Sequence, residues 1–371
     1  MKKILVIILM ILISYNCSLF EDENSSNKLP SNWSEVDDLK GGLVSTFFTD
    51  NNRIFAGKEA HGISYSDENA EEWTDINNGI DEIDPEDNTT LDRRTIKAFA
   101  ELNGEIYIGV ETSVSAGNYE GKDYEFVGGL YKYIEGENRW DYIGFKELDI
   151  LDIEVIDDKI VAGTFDGIYI LEEVDGNWIK TNIGFDSIDW NSIAVVENTI
   201  FAARVWSLVK SSDFGTNWTD IHTGNIVSHT INCIESIEDT LYIGTGNGVY
   251  ISNDKGSNWT EKNNGIPYDN FTGYASVNQI TFSNSKLIAI YSLDTVFGNN
   301  DFPSRISSGI LSTKIDKLSW NAVELGDEEF IGEPFSLGII DDNIFVGFIK
   351  SGYVGSTNNE VWINSTILDE N

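Results

Sequence analysis

The amino-acid sequence predicts an all-β protein: a single seven-bladed β-propeller of four-stranded antiparallel blades, with an N-terminal strand that closes the ring. Three observations predict this fold. Tryptophans recur at intervals of 40, 67, 38, 40, 41, 61 and 42 residues. Short segments rich in β-branched and aromatic residues lie at fixed positions within the intervals. Turns that contain glycine separate these segments. Four short strands in each repeat of about 40 residues are typical of a propeller, whose stacked blades cover each other's apolar faces.

Two constant spacings place the strands within each repeat. An apolar residue precedes the end of the second strand by 13 residues, as from Val44 to Gly57. A glycine precedes the closing tryptophan by 11 residues, as from Gly248 to Trp259. The segments RIFAG, EIYIG, KIVAG, TIFAA, TLYIG and NIFVG are the predicted second strands. The tryptophans that open the fourth strands are Trp33, Trp73, Trp140, Trp178, Trp218, Trp259, Trp320 and Trp362.

The first of these tryptophans is Trp33 in SNWSEV, and it is not preceded by three predicted strands of the same blade. We therefore interpret its segment as the outer strand of the last blade, which joins the two ends of the chain. Trp362 in EVWINST competes for the same position, and the sequence leaves that choice open.

The composition limits the possible partners. The 371 residues include 62 acidic and 24 basic side chains, which gives a formal net charge of −38. Such a surface repels the phosphates of nucleic acids and of anionic membranes. We expect a soluble monomer that binds no nucleic acid and touches a membrane only through a lipid. With two cysteines there is no disulfide framework, and Cys233, in an apolar strand, is interpreted as a small core residue.

The N-terminus predicts export. Residues 1–16 combine two lysines with a short apolar run, which fits a signal peptide rather than a membrane span. The segment ends at Cys17 and resembles a bacterial lipoprotein signal, which implies lipidation of Cys17 and a place in the cell envelope, at the outer membrane or the cell surface. Plain secretion is the alternative. Residues 17–29 are then a flexible tether, and residues 30–371 form the propeller.

The pattern S-x-D-x-G-x-x-W occurs twice, and a degenerate copy runs from Ser66 through Glu68 and Ala70 to Trp73. The pattern resembles the Asp-box, or BNR repeat, of sialidases, sortilin-like receptors and assembly-factor propellers. The resemblance implies a structural turn, in which the aspartate accepts backbone N–H groups and the tryptophan packs between blades. The residues of the two clear copies are Ser211, Asp213, Gly215 and Trp218, and Ser252, Asp254, Gly256 and Trp259.

Four long insertions interrupt the second and sixth repeats. Because the 11-residue spacing stays intact in both repeats, all four insertions are expected to project from one face of the propeller. Long loops on a rigid scaffold commonly carry binding residues, and tyrosine and arginine often anchor interfaces. Packing of the loops onto the blades is the alternative. The binding candidates, including a turn of the fourth repeat, are Arg93, Arg94, Tyr119, Tyr124, Phe126, Arg204, Trp206, Tyr268, Phe271, Phe302 and Arg305.

The sequence predicts no cofactor. Asp84, Glu86 and Asp87 lie in one acidic insertion and are weak candidates for Ca²⁺, but the spacing is not that of an EF-hand. A solvated acidic loop is the alternative.

The favoured function is a non-catalytic, envelope-anchored binding or scaffold propeller that recognises a protein or a glycan on its long-loop face. Two alternatives stay open: a sialidase-like glycoside hydrolase and an assembly factor for an envelope complex. The resemblance to sialidases implies three arginines that bind the substrate carboxylate. It also implies a Tyr/Glu pair that supplies the nucleophile and an aspartate that acts as the acid. The sequence lacks their F-R-I-P motif, and the family has six blades.

Overall fold

The structure is a computed structural model. It describes residues 33–36, 39, 42–50, 52–59, 61–67, 72–80, 82–83, 90–91, 94–112, 117–119, 122–124, 128–145, 148–174, 177–184, 190–222, 224–226, 228–270, 272–283, 286–295, 305–325, 333–340, 343–349 and 360–364. Of residues 82–83, 90–91, 94, 112, 117–119, 122–124, 184, 294–295, 305–307 and 360 it describes the backbone alone.

Seven four-stranded antiparallel sheets form the blades, which confirms the predicted fold. The chain begins with β1 (Trp33–Glu35), which belongs to the last blade. Blade 1 contains β2 (Val44–Thr49), β3 (Arg53–Lys58), β4 (Gly62–Asp67) and β5 (Thr74–Asp75). A small hairpin, β6 (Glu82–Ile83) and β7 (Thr90–Leu91), leads to blade 2. Blade 2 contains β8 (Arg94–Leu102), β9 (Glu105–Thr112), β12 (Gly129–Ile134) and β13 (Arg139–Gly144), with the hairpin β10 (Gly117–Tyr119) and β11 (Lys122–Tyr124) inserted after β9.

The remaining blades follow in chain order. Blade 3 contains β14 (Ile150–Ile156), β15 (Lys159–Thr164), β16 (Gly167–Val174) and β17 (Asn177–Gly184). Blade 4 contains β18 (Ser192–Val196), β19 (Thr199–Arg204), β20 (Ser207–Ser211) and β21 (Thr219–Asp220). Blade 5 contains β22 (Ile231–Ile237), β23 (Thr240–Thr245), β24 (Gly248–Ser252) and β25 (Thr260–Glu261). The hairpin β26 (Tyr268–Asp269) and β27 (Gly273–Tyr274) leads to blade 6, which contains β28 (Ser276–Ser283), β29 (Lys286–Thr295), β30 (Arg305–Lys314) and β31 (Asn321–Ala322).

Blade 7 combines the two ends of the chain. It contains β32 (Glu333–Ile340), β33 (Asn343–Ile349) and β34 (Glu360–Asn364), and β1 is its fourth strand. Among the described residues, short 3₁₀ turns occupy Glu135–Glu137 and Gly224–Ile226. Within the part of the chain that the structure describes, no helix has the length and apolar character needed to cross a bilayer.

Ring closure confirms the interpretation of Trp33. β1 pairs antiparallel with β34, with Trp33 opposite Asn364 and Glu35 opposite Trp362. Trp362 therefore lies in the third strand of blade 7, which decides between the two candidates. The Trp33 side chain is only 6% exposed and packs against apolar residues of blades 6 and 7. Its Nε1 donates a hydrogen bond to the carbonyl of Glu324 at 3.0 Å.

The first strand of every blade lies innermost. β2, β8, β14, β18, β22, β28 and β32 contact one another in a closed ring around a central channel. Side-chain acceptors on this ring also bind the backbone of the next blade. Asp152 accepts from the N–H of Ile193 at 2.7 Å, and Ser192 accepts from that of Ile234 at 3.0 Å. These bonds fix the position of neighbouring inner strands relative to each other.

The glycines that end the second strands have a packing reason. A Cβ atom added to Gly57 would lie 2.8 Å from Cγ2 of Ile96 in the next blade. One added to Gly244 would lie 2.6 Å from the carbonyl oxygen of Val277, again in the next blade. The inner strand of each following blade therefore approaches too closely for a side chain at these positions.

We expect Gly244→Ala to lower the free energy of unfolding by about 1 to 3 kcal/mol, because the backbone of β28 must move away from the new methyl group. The matched control is Gly136→Ala, since nothing lies within 4 Å of a Cβ atom at Gly136. Urea unfolding of both variants measures the difference. Equal stability of the two would contradict this account of blade packing.

The two S-x-D-x-G-x-x-W turns join the third and fourth strands of blades 4 and 5 and share their hydrogen bonds. In each, the serine hydroxyl donates to the aspartate, and the glycine N–H donates to the serine oxygen, all at 2.8 Å. Gly215 and Gly256 have φ of +77° and +75°. Hydrogen bonds from Asn258 and Ser252 lower the pKa of Asp254 to about 2. Glu68 and Ala70 of the degenerate copy lie outside the described residues.

The strand order defines two faces. Because the strands of a blade alternate in direction, the second-to-third connections and the blade-to-blade connections share one face, which we term the loop face. The opposite side, which carries the S-x-D-x-G-x-x-W turns, is the turn face. The hairpins β6–β7 and β26–β27 lie between blades, and β10–β11 lies between second and third strands. β29 and β30 extend their ladder as far as the pair Thr295 and Arg305. All four insertions therefore belong to the loop face, as predicted.

Candidate functional site

Exposed apolar side chains concentrate on the loop face. Nine large apolar side chains are exposed among the residues that the structure describes. The turn face has two of them, Val174 and Phe282, and outer strands carry Tyr142 and Ile179. The other five lie in loop-face connections or at the loop-face end of β32, and they are Phe165, Val205, Trp206, Tyr268 and Phe335. Exposed apolar groups that cluster on one face are typical of an interaction surface.

Trp206 is the most exposed of these side chains, at 63%. It lies in the turn between β19 and β20, where blade 3 has Phe165 and Asp166 and blade 5 has Gly246 and Asn247. The carbonyl of Val205 accepts a hydrogen bond from the N–H of Ile231 at 3.0 Å, which ties this turn to the first strand of blade 5. The turn thus holds a mostly exposed indole ring on a backbone that is tied to the neighbouring blade.

Arg204 and Trp190 form the support beneath this turn. Trp190 is completely buried and packs with apolar residues of blades 3 and 4. The guanidinium of Arg204 lies 5.3 Å from the centre of the Trp190 ring, within the range of a cation–π contact. Arg204 therefore has a packing role in this structure.

The connection from blade 4 to blade 5 is also fixed from within. Nε2 of the buried His222 lies 2.8 Å from the carbonyl oxygen of Ile226 and 3.1 Å from that of His229. Two oxygen neighbours can accept only from a protonated nitrogen, so Nε2 is the N–H donor. The ring of His229 in turn stacks on Tyr250 with a centroid distance of 5.8 Å. These contacts make the loop face beside Trp206 a preformed surface.

Two tyrosines define the next part of the loop face. Tyr268 and Tyr274 are paired across the hairpin β26–β27, and their rings meet edge to face at 5.0 Å. Tyr268 is 58% exposed, whereas Tyr274 is half-buried. Oδ1 of Asn247 in blade 5 accepts from the N–H of Tyr274 at 2.8 Å. The hairpin is therefore held against blade 5 and presents Tyr268 to solvent.

One-residue bulges recur at the loop-face ends of the inner strands. Six of the seven inner strands show the same shift in register against their second strands. Bulges are frequent beside functional sites, where they change the direction of a side chain. The extra residues at these bulges are Ser45, Lys97, Leu151, Asn232, Asn278 and Phe335.

Below the loop face, three carboxyl groups lie at the wall of the channel. Burial raises the pKa of Asp152 to about 7, although the N–H groups of Ile193 and Ile153 stabilise its ionised form. Burial, together with the charges of Asp152 and Glu235, raises the pKa of Glu154 to about 8. The pKa of Glu235 rises to about 7, again mainly through burial. Since Glu154 and Glu235 interact across the intervening blade 4, both face the axis of the ring.

The turn face has a groove of about 620 Å³ between blades 1 and 2. Its cations are already ion-paired: Arg53 with Asp50 and Glu135, and Lys132 with Glu105. The guanidinium of Arg53 also lies 5.1 Å from the centre of the Phe55 ring. These pairs leave the groove without a ready cation for an anionic ligand.

The structure describes the side chains of some predicted site residues, only the backbone of others, and nothing of the rest. Side chains are described for Arg204, Trp206 and Tyr268, and these lie on blade 4 and on the hairpin before blade 6. Arg94, Tyr119, Tyr124 and Arg305 are described by their backbone, in β8, β10, β11 and β30. The residues outside the described part are Cys17, Asp84, Glu86, Asp87, Arg93, Phe126, Phe271 and Phe302.

Two further results concern a sialidase-like arginine site and a metal site. Arg94, Arg204 and Arg305 belong to blades 2, 4 and 6, so an intervening blade separates each from the next. Within the described residues, no group of three or more His, Cys, Asp or Glu side chains has a geometry that could hold a metal ion. Sequence reasoning missed Phe165 and Phe335, because both lie within ordinary repeat positions and only their exposure distinguishes them.

Fold and site together define a β-propeller with a preformed candidate binding face. Residues 163–328 match the family described as the DUF6242 beta propeller domain. The match runs from the second strand of blade 3 to the end of blade 6 and covers less than half of the 371 residues. No curated protein matches the sequence of this chain.

Several solved structures share the fold. The structure of YCF48 bound to D1 peptide is 10% identical with a TM-score of 0.60, and the match covers 92% of this chain and 98% of that one. YCF48 from Cyanidioschyzon merolae is 11% identical with a TM-score of 0.58, and the match covers 90% and 99%. An ancestral GH74 enzyme is 14% identical with a TM-score of 0.57, and the match covers 88% of this chain but 48% of the enzyme. At these identities the likeness concerns the fold alone.

Proposed function

We propose that this protein is a non-catalytic binding or scaffold module that recognises a protein or a glycan through its loop face. The observation that carries the proposal is the exposure of Trp206 and Tyr268 on backbone turns that are tied to neighbouring blades. An aromatic ring held in solvent by a rigid turn loses little conformational entropy when it binds a partner. The fold is compatible with such a role, since the propeller YCF48 has been solved with a bound peptide.

The same proposal includes the location and the partners expected from the sequence. Cys17 would carry the lipid, residues 1–16 would be removed, and the propeller would remain at the bacterial cell envelope as a monomer. The net charge of −38 supports membrane contact only through the lipid and argues against nucleic acid as a partner. The proposal requires no cofactor.

A capture experiment with matched variants tests the proposed function. The full mature chain is immobilised and incubated with an envelope extract of the organism that makes it. We expect Trp206→Ala to reduce the amount of captured protein or glycan at least about tenfold, because an exposed aromatic anchor often contributes 2 kcal/mol or more. The control is Phe282→Ala, which removes an exposed aromatic ring from the turn face.

Capture should be unchanged in the Phe282→Ala variant. If Trp206→Ala and Phe282→Ala capture as much as the unmodified protein, the loop face is not the binding face. Removal of residues 112–127 and 293–307 provides an independent test, because these insertions also belong to the loop face. Capture that survives this removal together with Trp206→Ala would overturn the proposal.

A further inference from the structure

The loop-face ends of blades 5 and 6 carry a connected network of uncharged polar side chains. Nδ2 of Asn232 donates to the hydroxyl of Ser276 at 2.8 Å and to the carbonyl of Val277 at 3.0 Å. The Ser276 hydroxyl donates to Oδ1 of Asn278 at 3.0 Å. Nδ2 of Asn278 donates to the hydroxyl of Ser292, also at 3.0 Å. Asn232 and Asn278 are the extra residues of two inner-strand bulges, which places the network at the mouth of the channel.

The tyrosine pair lies beside this network. The strand β26, which contains Tyr268, contacts β29, which contains Ser292. Tyr274 leads directly through Ala275 to Ser276, and Asn247 holds its backbone in place. One subsite thus combines the exposed ring of Tyr268 with the amide and hydroxyl groups of the network.

The chemistry of this subsite selects one class of ligand. Amide and hydroxyl groups both donate and accept hydrogen bonds, which suits a ligand whose edges carry many hydroxyl groups. An aromatic face suits the C–H face of a sugar ring, which is apolar. The network contains no charged side chain, and Asp269, in the same hairpin, accepts from the N–H of Thr272 at 3.2 Å. An anionic ligand would therefore find no opposite charge in the network, and the net charge of −38 repels anions in addition.

We propose that this subsite, formed by Asn232, Asn278 and Tyr268, binds a neutral oligosaccharide. The sugar ring lies on Tyr268, and its hydroxyl groups exchange hydrogen bonds with Asn278 and Ser276. The inference rests on the proposed function of the loop face and narrows its ligand to one class.

The test uses the full mature chain and three neutral oligosaccharides, namely cellohexaose, N-acetylchitohexaose and mannohexaose, in isothermal titration calorimetry. We expect at least one of them to bind, with an affinity that changes less than about twofold between low and high salt, because screening affects only charged partners. Tyr268→Ala and Asn278→Asp should each weaken binding at least about tenfold. Phe282→Ala, which alters the turn-face end of the strand that contains Asn278, should have no effect.

Each outcome decides between the two proposals. If none of the three oligosaccharides binds, or if Tyr268→Ala and Asn278→Asp bind as well as the unmodified chain, the oligosaccharide subsite is wrong. If in addition Trp206→Ala abolishes the capture of an envelope protein, the proposed function stands with a protein ligand. Calorimetry that shows binding only at low salt would also overturn the inference, because it would indicate a charged contact.

Discussion

Trp33→Ala is expected to lower the free energy of unfolding by about 3 to 5 kcal/mol, the range found for truncation of large buried aromatic residues. The indole packs against blade 6 and hydrogen-bonds to the carbonyl of Glu324. It also anchors β1, the strand that joins the two ends of the chain. Loss of this anchor therefore weakens both the seam of the ring and the contact between blades 6 and 7. Urea unfolding monitored by tryptophan fluorescence and by circular dichroism measures the effect.

The control is another tryptophan-to-alanine change. Trp206 is exposed and lies on the opposite side of the molecule from the start of β1, so Trp206→Ala should change stability by no more than about 0.5 kcal/mol. A Trp33→Ala protein as stable as the Trp206→Ala protein would show that the Trp33 side chain contributes nothing to ring closure.

The stability of the protein should fall as the pH rises from about 5 to about 8. Asp152, Glu154 and Glu235 have pKa values of about 7, 8 and 7 in the folded protein, above the ordinary values of 3.8 for Asp and 4.5 for Glu. Folding therefore takes up protons at these groups. Their contribution is fully present below the ordinary values and is lost as the pH rises through the raised ones. Each proton taken up contributes a slope of about 1.4 kcal/mol per pH unit within that window.

Charge-neutral variants separate this effect from general repulsion in an acidic protein. Glu154→Gln and Glu235→Gln should unfold at higher urea concentration than the unmodified protein at pH 8 and at the same concentration near pH 4. Glu101→Gln also removes one negative charge, from the exposed end of the inner strand β8, and controls for the change in net charge. An equally steep pH dependence in all four proteins would mean that the channel carboxyl groups do not cause it.

Most of the fold could be predicted from the sequence repeat. The 13-residue spacing from Val44 to Gly57 and from Ile231 to Gly244 reflects strand pairs that recur in the structure. The glycines were informative because the next blade leaves no room for a side chain there, so the reason for the signal is physical rather than statistical. Long insertions could be assigned to one face because antiparallel strand order fixes the side of every connection.

Other features could not be predicted from the sequence, because they depend on contacts between repeats. The bulges at Asn232 and Asn278 leave the spacing within each repeat unchanged, so the period does not reveal them. Asp152 resembles any strand aspartate until its hydrogen bond to Ile193 in the next blade is seen.

The closing strand also determines how the molecule responds to mechanical load. β1 begins at the turn face and runs toward the loop face, so a pull on the chain before Trp33 acts along the strand. Three residue pairs to β34 then resist together in shear, which is stronger than opening them one after another. When they yield, blade 7 loses its outer edge while the other six sheets keep all their strands. An anchor at this end would therefore make the seam the first part of the molecule to give way under tension.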